Sequence, residues 1–235
     1  MRRQRLSERL WGVHWSSELP LRLTADGVVV EWVDFSRANA FVKGDYADIF
    51  EQDETSPFSG GKLTPARGRY YEEAGDFFVF SKDGADIGLL VGTPVDWSTY
   101  YIRSSAVKRE YQGRALVQKF LPWLFERLKA AGVERIEAET APSNMASVYW
   151  LTRQRFNVTG TVFSERWGAM TRFTKFLCED SEAVFLRQFC MGVHYQAKER
   201  KRRPGGEEKS PASTTVCRRG DASEAEIGQT ATGGG

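Results

Sequence analysis

The sequence is short of the residues that cross-link a fold or hold a metal. It has three cysteines, Cys178, Cys190 and Cys217, far apart and without a CxxC pair, and two histidines, His14 and His194. A disulfide framework and a zinc site are therefore not expected, and a reducing cytoplasm is the simplest setting. No apolar run reaches bilayer-spanning length, so no membrane partner is expected. The arginine-rich start MRRQRLSERLWGVHW lacks the apolar centre of a signal peptide. Charge of one sign is not in excess: 33 basic residues face 31 acidic ones, a net of +2, which speaks against a nucleic-acid partner. Gly-x-Ser-x-Gly, Walker and dinucleotide fingerprints are absent. From Lys198 the chain also lacks large apolar residues, so residues 201–235 read as a disordered tail and the basic run Lys198–Arg203 as the solvated end of a helix.

What is present is core material and alternation. Apolar residues make up 41% of the chain, with 15 Phe, 8 Tyr and 7 Trp, enough for a packed globular domain. Gly27–Asp34 reads as a strand, Ser36–Gln52 as a helix and residues 53–69, rich in Gly, Pro, Ser and Thr, as a long loop. Strands are expected at Asp76–Phe80, Ala85–Thr93 and Thr99–Val107, the first two joined by a hairpin turn at Lys82-Asp83-Gly84. Leu116, Phe120, Leu124 and Leu128 then recur at helical period, with a kink expected at Pro122 and an end at Gly132. A strand at Arg135–Thr140, a helix from Asn144 to about Arg155, strands at Asn157–Arg166 and Ala169–Leu177, and an amphipathic helix from about Asp180 to Ala197 complete the order. The organisation expected is an N-terminal extension (1–18), one domain (19–178), a C-terminal helix (179–200) and the tail (201–235).

The segment VKREYQGRALV, residues 107–117, delivers a strand through a turn into a helix. The first amides of that helix lack partners within it and, with the helix dipole, attract an anion such as a pyrophosphate. Gly113 permits unusual backbone angles there and Arg114 adds positive charge. In the following strand Glu137 and Glu139 alternate with apolar residues and share one face, so either can relay a proton; a plain solvated face is the simpler reading. Tyr100, Tyr101 and Arg103 lie on the strand that leads into the turn, where tyrosines serve a pocket or a core equally well.

Two segments resemble the Gcn5-related N-acetyltransferase (GNAT) family. VKREYQGRALV is similar to its Gln/Arg-x-x-Gly-x-Gly/Ala pyrophosphate motif, with Gln112 on the first position and Ala115 and Val117 on the two glycine positions, where Val117 brings a branched side chain toward the phosphate. NMASVYWLTRQRF, Asn144–Phe156, is similar to the family's Asn-x-x-Ala-x-x-x-Tyr-x-x-x-Gly-Phe, with Leu151 at the tyrosine that often protonates the departing thiolate and Arg155 at the glycine. Tyr149 is two residues off, about 200° around a helix, and does not simply replace it. The resemblance implies a mixed α/β fold: a mostly antiparallel sheet of about seven strands with helices on both faces. It implies acyl-coenzyme A as co-substrate, with Ala106, Val107, Gln112, Gly113, Arg114, Ala115, Leu116, Val117 and Asn144 contacting it. It further implies a small-molecule or peptide amine as acceptor at Tyr101 and Arg103, Glu137 or Glu139 as base, no metal, and a monomer or homodimer. A carrier protein as acyl donor, and a relative that has lost catalysis, are the alternatives.

Overall fold

The computed structural model describes residues 4–50, 64–164 and 167–188. Two short helices, α1 (Leu6–Trp11) and α2 (Trp15–Glu18), precede strands β1 (Leu21–Arg22) and β2 (Val29–Val33). Helices α3 (Phe35–Phe50) and α4 (Pro65–Ala74) lead to β3 (Asp76–Lys82), β4 (Ala85–Pro94) and β5 (Thr99–Val107). A single 3-10 turn, Arg109–Tyr111, precedes α5 (Leu116–Ala130), followed by β6 (Arg135–Thr140), α6 (Met145–Arg153), β7 (Asn157–Ser164), β8 (Gly168–Phe176) and α7 (Glu179–Gln188). The sheet has eight strands in the order β1-β2-β3-β4-β5-β6-β8-β7, antiparallel except between β5 and β6. The strand beyond the expected seven is β1, a two-residue element held by Val29 and Val30, too short to leave a periodic signal.

The structure corrects two other expectations. Residues 65–69 open helix α4 and are not loop; the remainder of that expected loop, 51–63, lies outside the described residues. Helix α4 is polar, but it follows Thr64, starts on Pro65 and ends before Gly75, the arrangement that favours proline at the first helical position and glycine past the end. On helix α7 Val184 is exposed, while Phe185 packs on Phe176 of β8 with ring centroids 5.2 Å apart; its expected extension to Ala197 and the tail lie outside the described residues. Helix α5 runs continuously through Pro122, which is exposed.

Two cores flank the sheet. On one face α5 buries Leu116, Val117, Phe120, Leu121, Leu124, Phe125 and Leu128 against Phe78, Phe80, Leu90, Tyr100, Ile102 and Ile136. Each such side chain contributes about 1.5–3 kcal/mol of burial free energy. On the other face Phe41 of α3 packs with Phe77, Val79, Leu89, Val91 and Ala106. Ile102 and Ala106 would share a face of a regular strand, yet they enter opposite cores. The reason is a bulge: Gly92 pairs with Ile102 and Val91 with Ser104, leaving Arg103 as the extra residue on β5. Gly92 has room for nothing larger, since an added Cβ would stand 2.2 Å from the hydroxyl of Tyr100. Gly92→Ala should therefore cost about 1–3 kcal/mol through overpacking, seen as a lower urea midpoint.

The N-terminal segment enters the core. Trp15 is fully buried, edge-on to Phe78 at 5.3 Å. The buried Arg5 donates to the Gly75 and Val33 carbonyls and lies over the Trp32 ring, 4.6 Å from its centroid. Fully buried Asp76 accepts from Ser7 at 2.9 Å and from the Tyr100 hydroxyl at 3.3 Å. Burial pushes its carboxyl up to about 6, against the opposing pull of Ser7 and Arg5. The folded protein thus holds this proton more tightly than the unfolded chain. The associated stability is complete below the unfolded value near 3.8 and is lost as pH rises through 6. Urea titrations from pH 4 to 7 should show a loss on the order of 3 kcal/mol from this group, and Asp76→Asn should remove that slope.

Candidate active site

β5 and β6 run side by side only from Thr99↔Arg135 to Ile102↔Ala138. Beyond these pairs β5 stays with β4 as far as Val107, and β6 stays with β8 as far as Thr140. The strands part, and a cleft of about 290 Å³ fills the wedge. Ile102–Ser105 form one wall and Ala138–Ala141 the other; Asn144, Ser147, Trp150 and Leu151 of α6, with Trp167 and Met170 of the β7–β8 hairpin, complete it. The lining mixes apolar and polar side chains, and beyond Ile102 the edge of β5 facing the wedge pairs with no strand among the described residues.

A polar face adjoins the cleft. Glu137 and Glu139 share it, as their alternation requires, and both are largely buried among cations, not on an open solvated surface. Arg172, directly opposite Glu139 on β8, donates to its Oε1 from Nε at 2.9 Å and Nη2 at 2.8 Å. The Tyr101 hydroxyl donates to Oε2 at 3.3 Å. Burial, reinforced by the Glu139 charge, pushes Tyr101 up to about 12, so it stays protonated as a donor. Glu137 is 3.7 Å from Arg135 and 4.0 Å from Arg172. Of the two carboxylates only Glu139 lines the cleft, and Arg103 lines it too. Tyr100 belongs to the core.

The turn after β5 closes the other end of that strand. Gln112 donates from Nε2 to the Val107 carbonyl at 3.0 Å, bracing the loop. Gly113 has φ 76° and Ala115, the N-cap of α5, φ 55°. The first helical bond runs from the Lys119 amide to the Ala115 carbonyl, so the amides of residues 116–118 come before it. A Cβ built on Gly113 would meet nothing within 4 Å, so the loop opens onto free space. Exposed Arg114 stands over the Tyr111 ring at 5.1 Å. These residues fit an anionic group such as a pyrophosphate.

Residues 44–156 match the family model described as Acetyltransferase (GNAT) family. This stretch is a GNAT acetyltransferase domain. The activity class of that family is acyl transfer dependent on acetyl-coenzyme A. Solved structures agree in fold. YncA of Salmonella typhimurium, determined with its cofactor acetyl-CoA, is 19% identical over 65% of this chain and 95% of its own, with a TM-score of 0.51. An N-acetyltransferase of Staphylococcus aureus Mu50 is 18% identical over 65% and 99%, at 0.52. RimJ of Mycobacterium smegmatis, in complex with CoA-disulfide, is 21% identical over 67% and 86%, at 0.52. Comparison with curated proteins gave no match.

Within the GNAT domain the departures from the family's motifs acquire physical meaning. Val117 does not project toward a phosphate: it is 7% exposed and packs in the α5 core, as does Leu116, so both offer backbone amides only. Ala115 holds a left-handed conformation that favours glycine. Leu151 is buried and lines the cleft without a hydroxyl, while Tyr149 is exposed and accepts from Arg153. Asn144 caps α6, accepting from the Ser147 amide at 3.1 Å, and lines the cleft as well. Ala106 is buried on the α3 side and Val107 packs toward α5, so side-chain contact with a ligand is left to their neighbours Ser104 and Ser105. Trp150, Arg172, Trp167 and Met170 were not marked by the sequence; Trp150 comes from α6 beside Leu151, while β8 pairing and the β7–β8 hairpin bring in the other three. His14 is exposed at the start of α2, and His194, Cys190 and Cys217 lie outside the described residues. Ala115→Gly should relieve the left-handed strain and stabilise the protein by about 1 kcal/mol, read from denaturant midpoints, without weakening acetyl-CoA binding by calorimetry.

Proposed function

We propose that the chain transfers an acetyl or other short acyl group from coenzyme A to a primary amine by direct attack. The carrying observation is the parting of β5 and β6 into a cleft whose β5 wall leads to the positive-φ turn before α5. A pyrophosphate at the amides of residues 116–118 lets the extended arm of the donor run along the edge of β5 that faces the wedge, in the manner of an added strand. Amides of that edge, from Arg103 onward, serve the thioester oxygen as charge develops on it. The amine nitrogen then forms its bond to the carbonyl carbon, the C–S bond breaks, and the thiolate leaves.

The amine also gives up a proton. Glu139 is the group of the polar face that reaches the cleft. Its Oε1 is occupied by Arg172, and Oε2, which accepts from Tyr101 at 3.3 Å, retains the capacity to take that proton through water. Glu137 and Arg172 act behind it as positioning residues. A thiol's ordinary pKa of about 8.5 makes the thiolate a fair leaving group near neutrality, which lessens the need for a hydroxyl at Leu151. A cytoplasmic setting, with a free small-molecule or peptide amine as acceptor, accords with this chemistry.

Thiol release from acetyl-coenzyme A across an amine panel tests the reading. Saturable turnover is expected, and Glu139→Gln should lower kcat about 100-fold while leaving acetyl-coenzyme A binding near that of the parent. No binding at millimolar acetyl-coenzyme A, or no transfer to any amine, would overturn it. Faster turnover with an acyl-carrier protein would move the donor assignment to the carrier.

A further inference from the structure

The bulge on β5 sets a cation at the cleft that has no carboxylate partner among the described residues. Arg103, the extra residue of that bulge, is exposed and lines the cleft. Its guanidinium is backed by an aromatic ring: the central carbon lies 5.5 Å from the centroid of Tyr71, and Nη2 is 3.5 Å from the Tyr71 hydroxyl. Tyr71 is itself stacked on Phe35, with centroids 5.7 Å apart and planes 10° from parallel. The other two arginines of this face are engaged, Arg172 with Glu139 at 2.8 Å and Arg135 with Asp96 at 3.4 Å. A guanidinium steadied by a ring and without a counter-charge among the described residues is suited to a carboxylate from a ligand.

Coenzyme A phosphates are poor candidates for that anion. Five residues of extended chain separate Arg103 from Lys108, where the pyrophosphate loop begins, roughly 16 Å at about 3.3 Å per residue. Arg103 stands instead at the end of the wedge where Glu139 lies. One wall of the cleft thus offers a cation and the facing wall an anion.

We propose that the acceptor is an amino acid, whose carboxylate is held by Arg103 while its amino group faces Glu139. This rests on the N-acyltransferase reading above. The bulge supplies the specificity, because without the extra residue β5 would keep its alternation and present a different set of side chains to the wedge.

Matched acceptors test it: phenylalanine, phenylalaninamide and phenethylamine, with tryptophan, tryptophanamide and tryptamine as a second set, each with acetyl-coenzyme A and the full chain. The amino acid should exceed its amide and its decarboxylated amine in kcat/KM by about tenfold or more, mainly through KM. Arg103→Gln should lower kcat/KM for the amino acid at least tenfold more than for the amide, and Arg103→Lys should recover part of the difference. Calorimetry of amino acid against amide on the unliganded protein, parent and Arg103→Gln, gives the same comparison without turnover. Transfer that is indifferent to the carboxylate, or equal losses for acid and amide in Arg103→Gln, would overturn the inference while leaving the acyltransferase reading intact. Absence of transfer to every amine would overturn that reading, and the inference with it.

Discussion

β5 and β6 share a parallel ladder only as far as Ile102 and Ala138, and the backbone beyond has to find its hydrogen bonds elsewhere. On the outer edges it does so, β5 with β4 and β6 with β8. On the inner edges it meets an open cleft. A sheet divided in this way stays together because the α5 core spans the division: Phe120, Leu121 and Leu124 belong to the same cluster as Tyr100 and Ile102 on β5 and Ile136 and Ala138 on β6. The stub of parallel pairing aligns the halves, and apolar burial by α5 holds them. An unpaired strand edge is ordinarily an aggregation hazard. Here it lines a cleft too confined for another sheet, and a thin amide-bearing chain is the guest that suits it.

The geometry of the wedge traces back to a buried polar cluster some distance from it. Tyr100 is fully buried and donates to Asp76, which also holds Ser7; the Tyr100 ring occupies the space beside Gly92. Three residues later comes the extra residue, Arg103, that turns Ser105 and Val107 toward α5 and leaves Ser104 and Ala106 toward α3. The N-terminal helices therefore do more than cover the sheet. Arg5 ties the strand-end carbonyls of Val33 and Gly75 together beside Asp76, so chain that precedes the first strand fixes the residue around which β5 bulges. Buried ionisable groups are costly, and this cluster is one place where the protein gives up stability to fix a local backbone shape.

Much of the fold was legible because period and punctuation agreed. The strands from Val29 to Val107 alternate or run apolar between Gly and Asp turns, and Asp83 and Gly84 take the positive φ a tight hairpin needs. Helix α4 escaped because its residues, PARGRYYEEA, offer little apolar periodicity; the signal was at its ends, in Thr64-Pro65 and Gly75. The site was legible in part. Glu137 and Glu139 were placed on one face by alternation alone, but their ion pairs to Arg172 arise from register between strands 33 residues apart. Tyr71 and Trp167 reach the site through packing of separate elements, which no local pattern encodes. The bulge was likewise invisible, since it depends on where Tyr100 lies against Gly92.

The alanine and valine at the glycine positions of the turn before α5 show how a degenerate motif can keep its backbone donors. The two positions do different work. At residue 115 the chain turns from loop to helix with positive φ, so glycine there relieves backbone strain, and alanine, the smallest side chain, is the least costly substitute. At residue 117 the chain is already helical and the side chain faces inward, where valine adds apolar contact to the α5 core and leaves the amide where it was. What an anion meets at a helix start is the amides, and neither change removes one. At this turn Val117 serves core packing, while the amides of residues 116–118 precede the first helical bond, from Lys119 to the Ala115 carbonyl.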